Sequence, residues 1–182
     1  YGVRAANGVV LITTKSGNYD QKAEITYNGY YGTQVAQNVV KMANAEQFTN
    51  WANESGSVAE ANFIQNSMQR FGRSRINPNV PAANTDWYKE VLTPASIQNH
   101  NITVSGGDKK TTYSIGGDYF RQAGILKMKN NYERFNLRAR LDYAANDWLT
   151  IGGTFILSNA TKYAPDDGAW GLSYFAVPIM PV

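Results

Sequence analysis

The chain contains no cysteine and a single histidine among its 182 residues. Without cysteine it can form neither a disulfide framework nor a thiolate metal site. It also lacks any apolar run of about 18 residues, the length of a transmembrane helix, so a membrane location would have to depend on β-strands. The net charge is only +3. Because lysine and arginine do not cluster on one element, nucleic-acid binding is not indicated.

Alternation of apolar and polar side chains is the main pattern that is present. It occurs in five segments, at residues 23–32, 98–105, 111–120, 134–143 and 148–161. In the clearest segment, the apolar set is Phe135, Leu137, Ala139, Leu141 and Tyr143, and the polar set is Arg134, Asn136, Arg138, Arg140 and Asp142. A period of two predicts β-strands with one apolar and one polar face.

Two kinds of β protein share this alternation. A soluble sandwich buries the apolar face, whereas a membrane barrel turns it towards lipid and turns the polar face towards a wet lumen. Short turns alternate here with long links, and aromatic residues lie near strand ends, at Tyr30, Tyr31, Tyr132, Tyr143 and Trp148. Both details favour the barrel, with Arg134, Asn136, Arg138, Arg140 and Asp142 facing the lumen. A soluble β-rich binding or adhesin module is the alternative.

Residues 33–96 have little strand character and contain two helical patterns. The first helix is expected to begin after Asn44, an N-cap residue, and to end at Gly56. Its apolar stripe comprises Phe48, Trp51 and Ala52. The second is expected to run from its cap at Thr85-Asp86 to a stop at Pro94. The segment is therefore predicted to be a long loop with short helices.

The first 17 residues, YGVRAANGVVLITTKSG, combine a turn with a buried strand. Asn7-Gly8 supplies the positive φ values of a tight turn. The run from Val9 to Thr14 is apolar and β-branched without alternation, which is typical of a strand covered on both faces.

This stretch resembles the end of the plug domain in SusC/RagA-type TonB-dependent outer-membrane transporters, where a segment close to YGSRAANGVILITTKKG leads from plug to barrel. The plug signature comprises Tyr1, Gly2, Arg4, Ala5, Ala6, Asn7 and Gly8. Leu11 favours this branch, because TonB-dependent receptors in general typically carry Asn there. Val3 departs from the frequent Ser. A looser resemblance to the early barrel extends over residues 84–161.

The resemblance implies an all-β fold: a fragment of a 22-stranded transmembrane β-barrel with the last strand of the plug domain, plus a long loop with short helices. Residues 1–21 would be the end of the plug, residues 22–182 the first part of the barrel, and residues 33–96 an extracellular loop. A barrel of about 22 strands requires several times this length, so a fragment is expected.

The function implied by the resemblance is energised import across the outer membrane of a Gram-negative bacterium. A SusD-like surface lipoprotein would capture the cargo, and the TonB–ExbB–ExbD complex would act through a segment that this chain lacks. Oligosaccharides are the majority cargo in the family, and the RagA branch imports peptides. Outer-membrane lipid would surround the barrel, and neither a cofactor nor nucleic acid is implied.

Residues that suggest other chemistry have simpler explanations. His100 has no acidic neighbour in sequence, so a surface or lumen-facing histidine fits better than a general base. Asp166-Asp167-Gly168 lacks the spaced ligands of a calcium loop and is predicted to be a turn. Rings in the presumed loops could stack on sugars, although loop packing is the simpler expectation; they are Trp51, Trp87 and Trp170. We therefore predict no catalytic, metal or cofactor site, and no enzyme activity.

Overall fold

A computed structural model of the chain describes residues 17–76, 78–164 and 168–182. The plug signature and the strand predicted after it lie outside these residues, and so does the Asp166-Asp167 pair. Within the described ranges, the elements in chain order are β1 (Glu24–Gln34), α1 (Ala45–Glu54), α2 (Val58–Phe71), α3 (Trp87–Val91), β2 (Ala95–Gly107), β3 (Thr111–Ala123), β4 (Asn131–Asn146), β5 (Leu149–Lys162) and α4 (Gly168–Phe175).

The five strands form one antiparallel sheet in the order β1-β2-β3-β4-β5. The predicted all-β fold is confirmed, and each alternating segment is a strand. The strands are longer than predicted; the clearest segment, 134–143, becomes Asn131–Asn146. Backbone pairing continues where the side-chain alternation is no longer regular. No helix in the described part of the chain is long and apolar enough to cross a membrane.

Short and long links alternate along the sheet. Residues 108–110 join β2 to β3, and residues 147–148 join β4 to β5. The links from β1 to β2 and from β3 to β4 are longer, at residues 35–94 and 124–130. Since successive links of an antiparallel meander fall at opposite ends, the short turns share one end and the longer links share the other.

The turn between β2 and β3 is held by an aspartate side chain. Strand β2 continues through Gly107, whose N–H donates to the Gln21 carbonyl at 2.9 Å. Asp108 Oδ1 accepts hydrogen bonds from the backbone N–H groups of Lys110 at 2.8 Å and Thr111 at 2.7 Å. These two hydrogen bonds lower the pKa of Asp108 below its ordinary value of 3.8.

Replacing Asp108 with alanine is expected to lower the thermal unfolding midpoint of the purified protein at pH 7. Because the pKa of Asp108 is lowered on folding, its stabilising effect is complete above pH 3.8 and is lost as the pH falls through the lowered value. Asp108→Asn retains the acceptor oxygen and should keep most of the stability without this acid dependence. Equal midpoints for Asp108→Ala and the native protein at pH 7 would contradict this role of the turn.

The two compact units of the chain are described separately. One contains residues 98–121 and 133–161 together with the described residues up to 31. The other contains residues 32–97 and 122–132 together with the described residues from 162 to 182. The second unit has its own apolar core, formed by Ala45, Ala52, Ile64, Met68 and Ile179, against which Phe48, Val80 and Val177 pack.

The structure confirms the predicted start of helix α1, but the predicted apolar stripe of this helix is partly wrong. Asn44 accepts a hydrogen bond from the Gln47 N–H at 2.8 Å, and the Gln47 side chain accepts one from the Asn44 N–H at 3.1 Å, which completes a capping box. Ala52 is buried, but Trp51 is 56% exposed. Thr49 is buried instead, because it lies four residues after buried Ala45 on the same helix face.

Helices α2 and α4 were not predicted. Helix α2 begins after Ser57, whose hydroxyl oxygen accepts a hydrogen bond from the Glu60 N–H at 3.3 Å, and it ends at Gly72 with φ 86°. The Ser-x-x-Glu spacing is a capping-box signature and could have revealed this helix. The predicted helix near residue 85 is confirmed as α3, with Asp86 as its N-cap.

Residues 177–180 attach to the chain segment that enters α3. The backbone N–H of Thr85 donates to the Pro178 carbonyl at 2.8 Å, and its hydroxyl donates to the Met180 carbonyl at 2.5 Å. Ile179, between them, is completely buried. Segments that are more than 80 residues apart in the sequence therefore share the core of the second unit.

Candidate functional site

The polar face of the sheet is the candidate site, because it carries the side chains predicted to face a lumen. Asn136 and Arg134 project to the same side of β4, and both donate to Asp118 of β3, at 3.0 Å and 3.4 Å. Asn136 Oδ1 also accepts a hydrogen bond from Ser158 of β5 at 2.6 Å. A hydrogen-bonded row of polar side chains thus crosses three strands.

The charges on this face are unevenly compensated. Arg134 pairs with Asp118 at 3.4 Å, and Arg140 pairs with Asp142 at 2.7 Å. Both pairs are partly exposed, so each is worth about 0–1 kcal/mol. Arg138 is exposed and forms no ion pair within the described residues. The uncompensated positive charge of β4 therefore lies at Arg138.

A cavity of about 600 Å³ opens on the polar face. The polar side chains that line it are Asn101, Thr103, Ser114, Asp118, Asn136, Arg138 and Ser158. Gly116 lies among them, and a Cβ at this position would come 3.3 Å from the Thr103 hydroxyl oxygen. Amide, hydroxyl and guanidinium groups can hydrogen-bond a polar segment and attract a carboxylate. In the described part of the chain, no group of three or more acidic or histidine side chains could hold a metal ion.

The opposite face of the sheet is apolar and exposed. The large side chains that alternation places there are Ile25, Tyr27, Tyr31, Ile102, Ile115, Phe135, Leu141, Tyr143, Leu149, Ile151, Phe155 and Leu157. Tyr30 and Ile156 are the exposed large exceptions on the polar side. A continuous apolar surface of this extent is characteristic of contact with a partner or a membrane.

His100 lies on the apolar face and is paired with a tyrosine. Its Nδ1 atom is 2.7 Å from the Tyr27 hydroxyl oxygen, and the two rings are stacked with centroids 6.2 Å apart. Tyr27 also lies over Gly29, where a Cβ would collide with the tyrosine ring. The position of the histidine is therefore explained by packing between β1 and β2.

The loop tryptophans differ in their surroundings. The Trp87 indole N–H donates to the Val177 carbonyl at 2.9 Å, and the Trp170 ring lies 5.0 Å from the Tyr88 ring. Both rings therefore contribute to packing within the second unit. Trp51 is exposed, with its ring 6.0 Å from that of Phe48.

Curated relatives of the chain are TonB-dependent receptors, although no protein-family model matches it. Receptor P26 of Formosa agariphila is 32% identical over 84% of this chain and 14% of its own length. Receptor SusC of Bacteroides thetaiotaomicron is 28% identical over 100% of this chain and 17% of its own length. The chain thus spans about one sixth of the length of the relatives it matches.

Solved structures show the same architecture. The chain superimposes on the RagAB peptide importer in its open-open state with a TM-score of 0.70 and 25% identity, over 92% of this chain and 20% of that one. A second structure of the RagAB peptide transporter gives the same score and identity. The relatives of this chain are thus TonB-dependent receptors that include SusC, and its structural neighbours are structures of the RagAB transporter.

Proposed function

We propose that the receptor to which this chain belongs imports an oligomeric nutrient across the outer membrane of a Gram-negative bacterium. The observation that carries this proposal is the two-faced sheet, whose apolar side is exposed and whose polar side bears the row from Asp118 to Ser158. A soluble sandwich would cover the apolar side, whereas lipid covers it in a membrane barrel. Enzyme activity is not part of the proposal.

The sheet would form the beginning of the barrel wall. In this arrangement residues 1–21 end the plug, residues 22–182 begin the barrel, and residues 33–96 form an extracellular loop. The polar face, with Arg134, Asn136, Arg138, Arg140 and Asp142, would line the lumen. Arg138 would then meet the plug with its charge uncompensated by the sheet, which favours an acidic plug side chain as its neighbour.

The energy and the capture step would come from partners. We propose that the TonB–ExbB–ExbD complex drives import through a segment outside this chain, and that a SusD-like lipoprotein delivers the cargo at the cell surface. The longer links of the sheet share one end, and an extracellular assignment of the 33–96 loop would place this end at the surface.

Oligosaccharides are the first cargo class that we propose, because the resemblance to the SusC/RagA family implies them as the majority cargo. Peptides are the second candidate, since the RagAB peptide importer matches 92% of the chain with a TM-score of 0.70. The two classes make different demands on a site: sugars require many hydrogen-bonding side chains, while peptides require backbone partners and apolar contacts.

Deletion of the full gene tests the import function. We expect loss of growth on one class of oligosaccharide, or on one class of peptide, when it is the sole carbon source. Expression of the full-length receptor from a plasmid should restore growth, and growth on free glucose or free amino acids is the control. Unchanged growth on all oligosaccharides together with unchanged peptide uptake would overturn the import proposal.

A further inference from the structure

Helix α3 lies between two segments that are distant from it in the sequence. It has only five residues, and an isolated helix shorter than about 12 residues is at best marginally stable in water. Contacts with other parts of the second unit must therefore hold it. One neighbour is the β3–β4 link, residues 124–130, and the other comprises α4 and residues 177–180.

The β3–β4 link pairs with the end of α3. Residues 125–127 of the link form an antiparallel bridge with residues 91–93, and we call this pairing the clasp. Its two backbone hydrogen bonds, each of 2.8 Å, run from the Thr93 N–H to the Ile125 carbonyl and from the Lys127 N–H to the Val91 carbonyl. The clasp thus joins segments more than 30 residues apart in the sequence.

The side chain of Lys127 completes the end of α3. The last carbonyl groups of a helix lack N–H partners within the helix. The Leu92 N–H donates to the Tyr88 carbonyl at 2.9 Å, but the Thr93 N–H, which would reach the Lys89 carbonyl in a longer helix, is used by the clasp. The Lys127 ammonium group donates to the Lys89 carbonyl at 2.7 Å in its place.

The other neighbour holds the start of α3. The Trp87 indole N–H donates to the Val177 carbonyl at 2.9 Å, and the Thr85 N–H donates to the Pro178 carbonyl at 2.8 Å. Tyr88 is buried, with its ring against that of a tryptophan in α4. Both neighbours therefore hold the same short helix, one at each end.

We propose that α3 couples the β3–β4 link to residues 177–180, so that the two segments tighten or loosen together. The device has two states, with α3 either formed between its two neighbours or released. Each neighbour favours the formed state, because α3 is too short to persist without them. Coupling between two sites is reciprocal, so a weaker clasp loosens residues 177–180 and a weaker contact there loosens the clasp. The proposal does not depend on the import function.

Hydrogen exchange in the purified protein tests the coupling. Lys127→Met removes the ammonium donor and retains the backbone pairing of the clasp. We expect the Thr85 N–H, at the other end of α3, to exchange about two- to tenfold faster, the effect of losing one hydrogen bond. Lys127→Arg retains a donor and should keep the native rate. Lys129→Met is the matched control, because the ammonium group of Lys129 lies 3.7 Å from the centroid of the Tyr163 ring.

Trp87→Phe tests the coupling in the other direction. It keeps an aromatic ring but removes the N–H that donates to the Val177 carbonyl. The Lys127 N–H should then also exchange several-fold faster than in the native protein. Helix α2, in the same unit, should keep its native exchange in both variants. This comparison separates release of α3 from general unfolding.

A disulfide tests the opposite change, in which the clasp is tightened. Leu92 and Leu126 face each other between the two backbone hydrogen bonds of the clasp, and such non-hydrogen-bonded pairs have Cα atoms about 4.5 Å apart, within the range of a disulfide. The chain contains no cysteine that would compete with Leu92→Cys and Leu126→Cys. Oxidation of this double variant should slow exchange of the Thr85 N–H several-fold relative to its reduced form.

Effects confined to one side of α3 would overturn the proposal. Lys127→Met would then speed exchange only in residues 124–130, and Trp87→Phe would leave the Lys127 N–H unchanged. An equal rise in helix α2 would also overturn it, because the variants would then have lowered the stability of the whole unit. Equal exchange of the Thr85 N–H in the oxidised and reduced double variant would have the same meaning.

Discussion

Leu137→Arg is expected to reduce sharply the amount of receptor assembled in the outer membrane. Leu137 lies on the apolar face of β4, between Asn136 and Arg138 on the polar face. An arginine on the lipid side near the middle of the bilayer costs about 2–4 kcal/mol. The measurement is the quantity of heat-modifiable, folded receptor in outer-membrane fractions.

Arg138→Leu is the matched control, because it changes the neighbouring residue on the other face. Arg138 is exposed and has no ion pair among the described residues, so its loss breaks no ion pair among them. Assembly should remain near the native level, and uptake should change if the arginine contacts the plug. The opposite order of the two variants would show that the faces are assigned the wrong way round.

Gly107→Ala is expected to have the second large effect, a loss of stability. Gly107 ends β2 and lies beside residues 18–21, which precede β1. A Cβ at Gly107 would lie 2.5 Å from the Asn18 carbonyl oxygen and 2.6 Å from that of Thr111. Both atoms belong to the backbone and cannot rotate away, so an overpacking cost of about 1–3 kcal/mol is expected. The hydrogen bond from Gly107 to the Gln21 carbonyl would be strained with it.

Gly153→Ala provides the comparison within the same sheet. A Cβ at Gly153, in β5, would meet no atom within 4 Å. Its thermal unfolding midpoint, measured on the purified full-length receptor, should equal that of the native protein, while that of Gly107→Ala should fall. Equal midpoints for the two variants would show that residues 17–21 are not held closely against the turn of β2 and β3.

The two large predictions concern different requirements of the same sheet. The first depends on which side of a strand faces lipid, and this is a matter of solvation. The second depends on how closely two backbones approach, and this is a matter of packing. Together they distinguish a wrong orientation of the sheet from a wrong description of the packing at Gly107, because each variant has its own matched control in the same sheet.

The sequence alone determined the five strands of the sheet, the alternation of short turns and long links between them, and the start of two helices. These features depend on local rules: alternation follows from the strand period, and Asn44 and Asp86 cap helices by reaching three residues along the chain. The resemblance to SusC/RagA-type receptors was also drawn from the sequence without reference to the structure, and the relatives agree with it. The element boundaries, the apolar stripe of α1 and the missed helices α2 and α4 needed correction, and of these only α2 had a capping signature in the sequence.

Only the tertiary structure decided which side chains have an ion-pair or hydrogen-bond partner within the described residues. Arg134 and Arg140 resemble Arg138 in sequence, yet the first two have aspartate partners in the sheet. Trp87 resembles Trp51, yet its indole is bound to Val177. The core of the second unit likewise depends on contacts between segments more than 80 residues apart. Such contacts depend on the path of the whole chain, whereas local periodicity records only the next few residues.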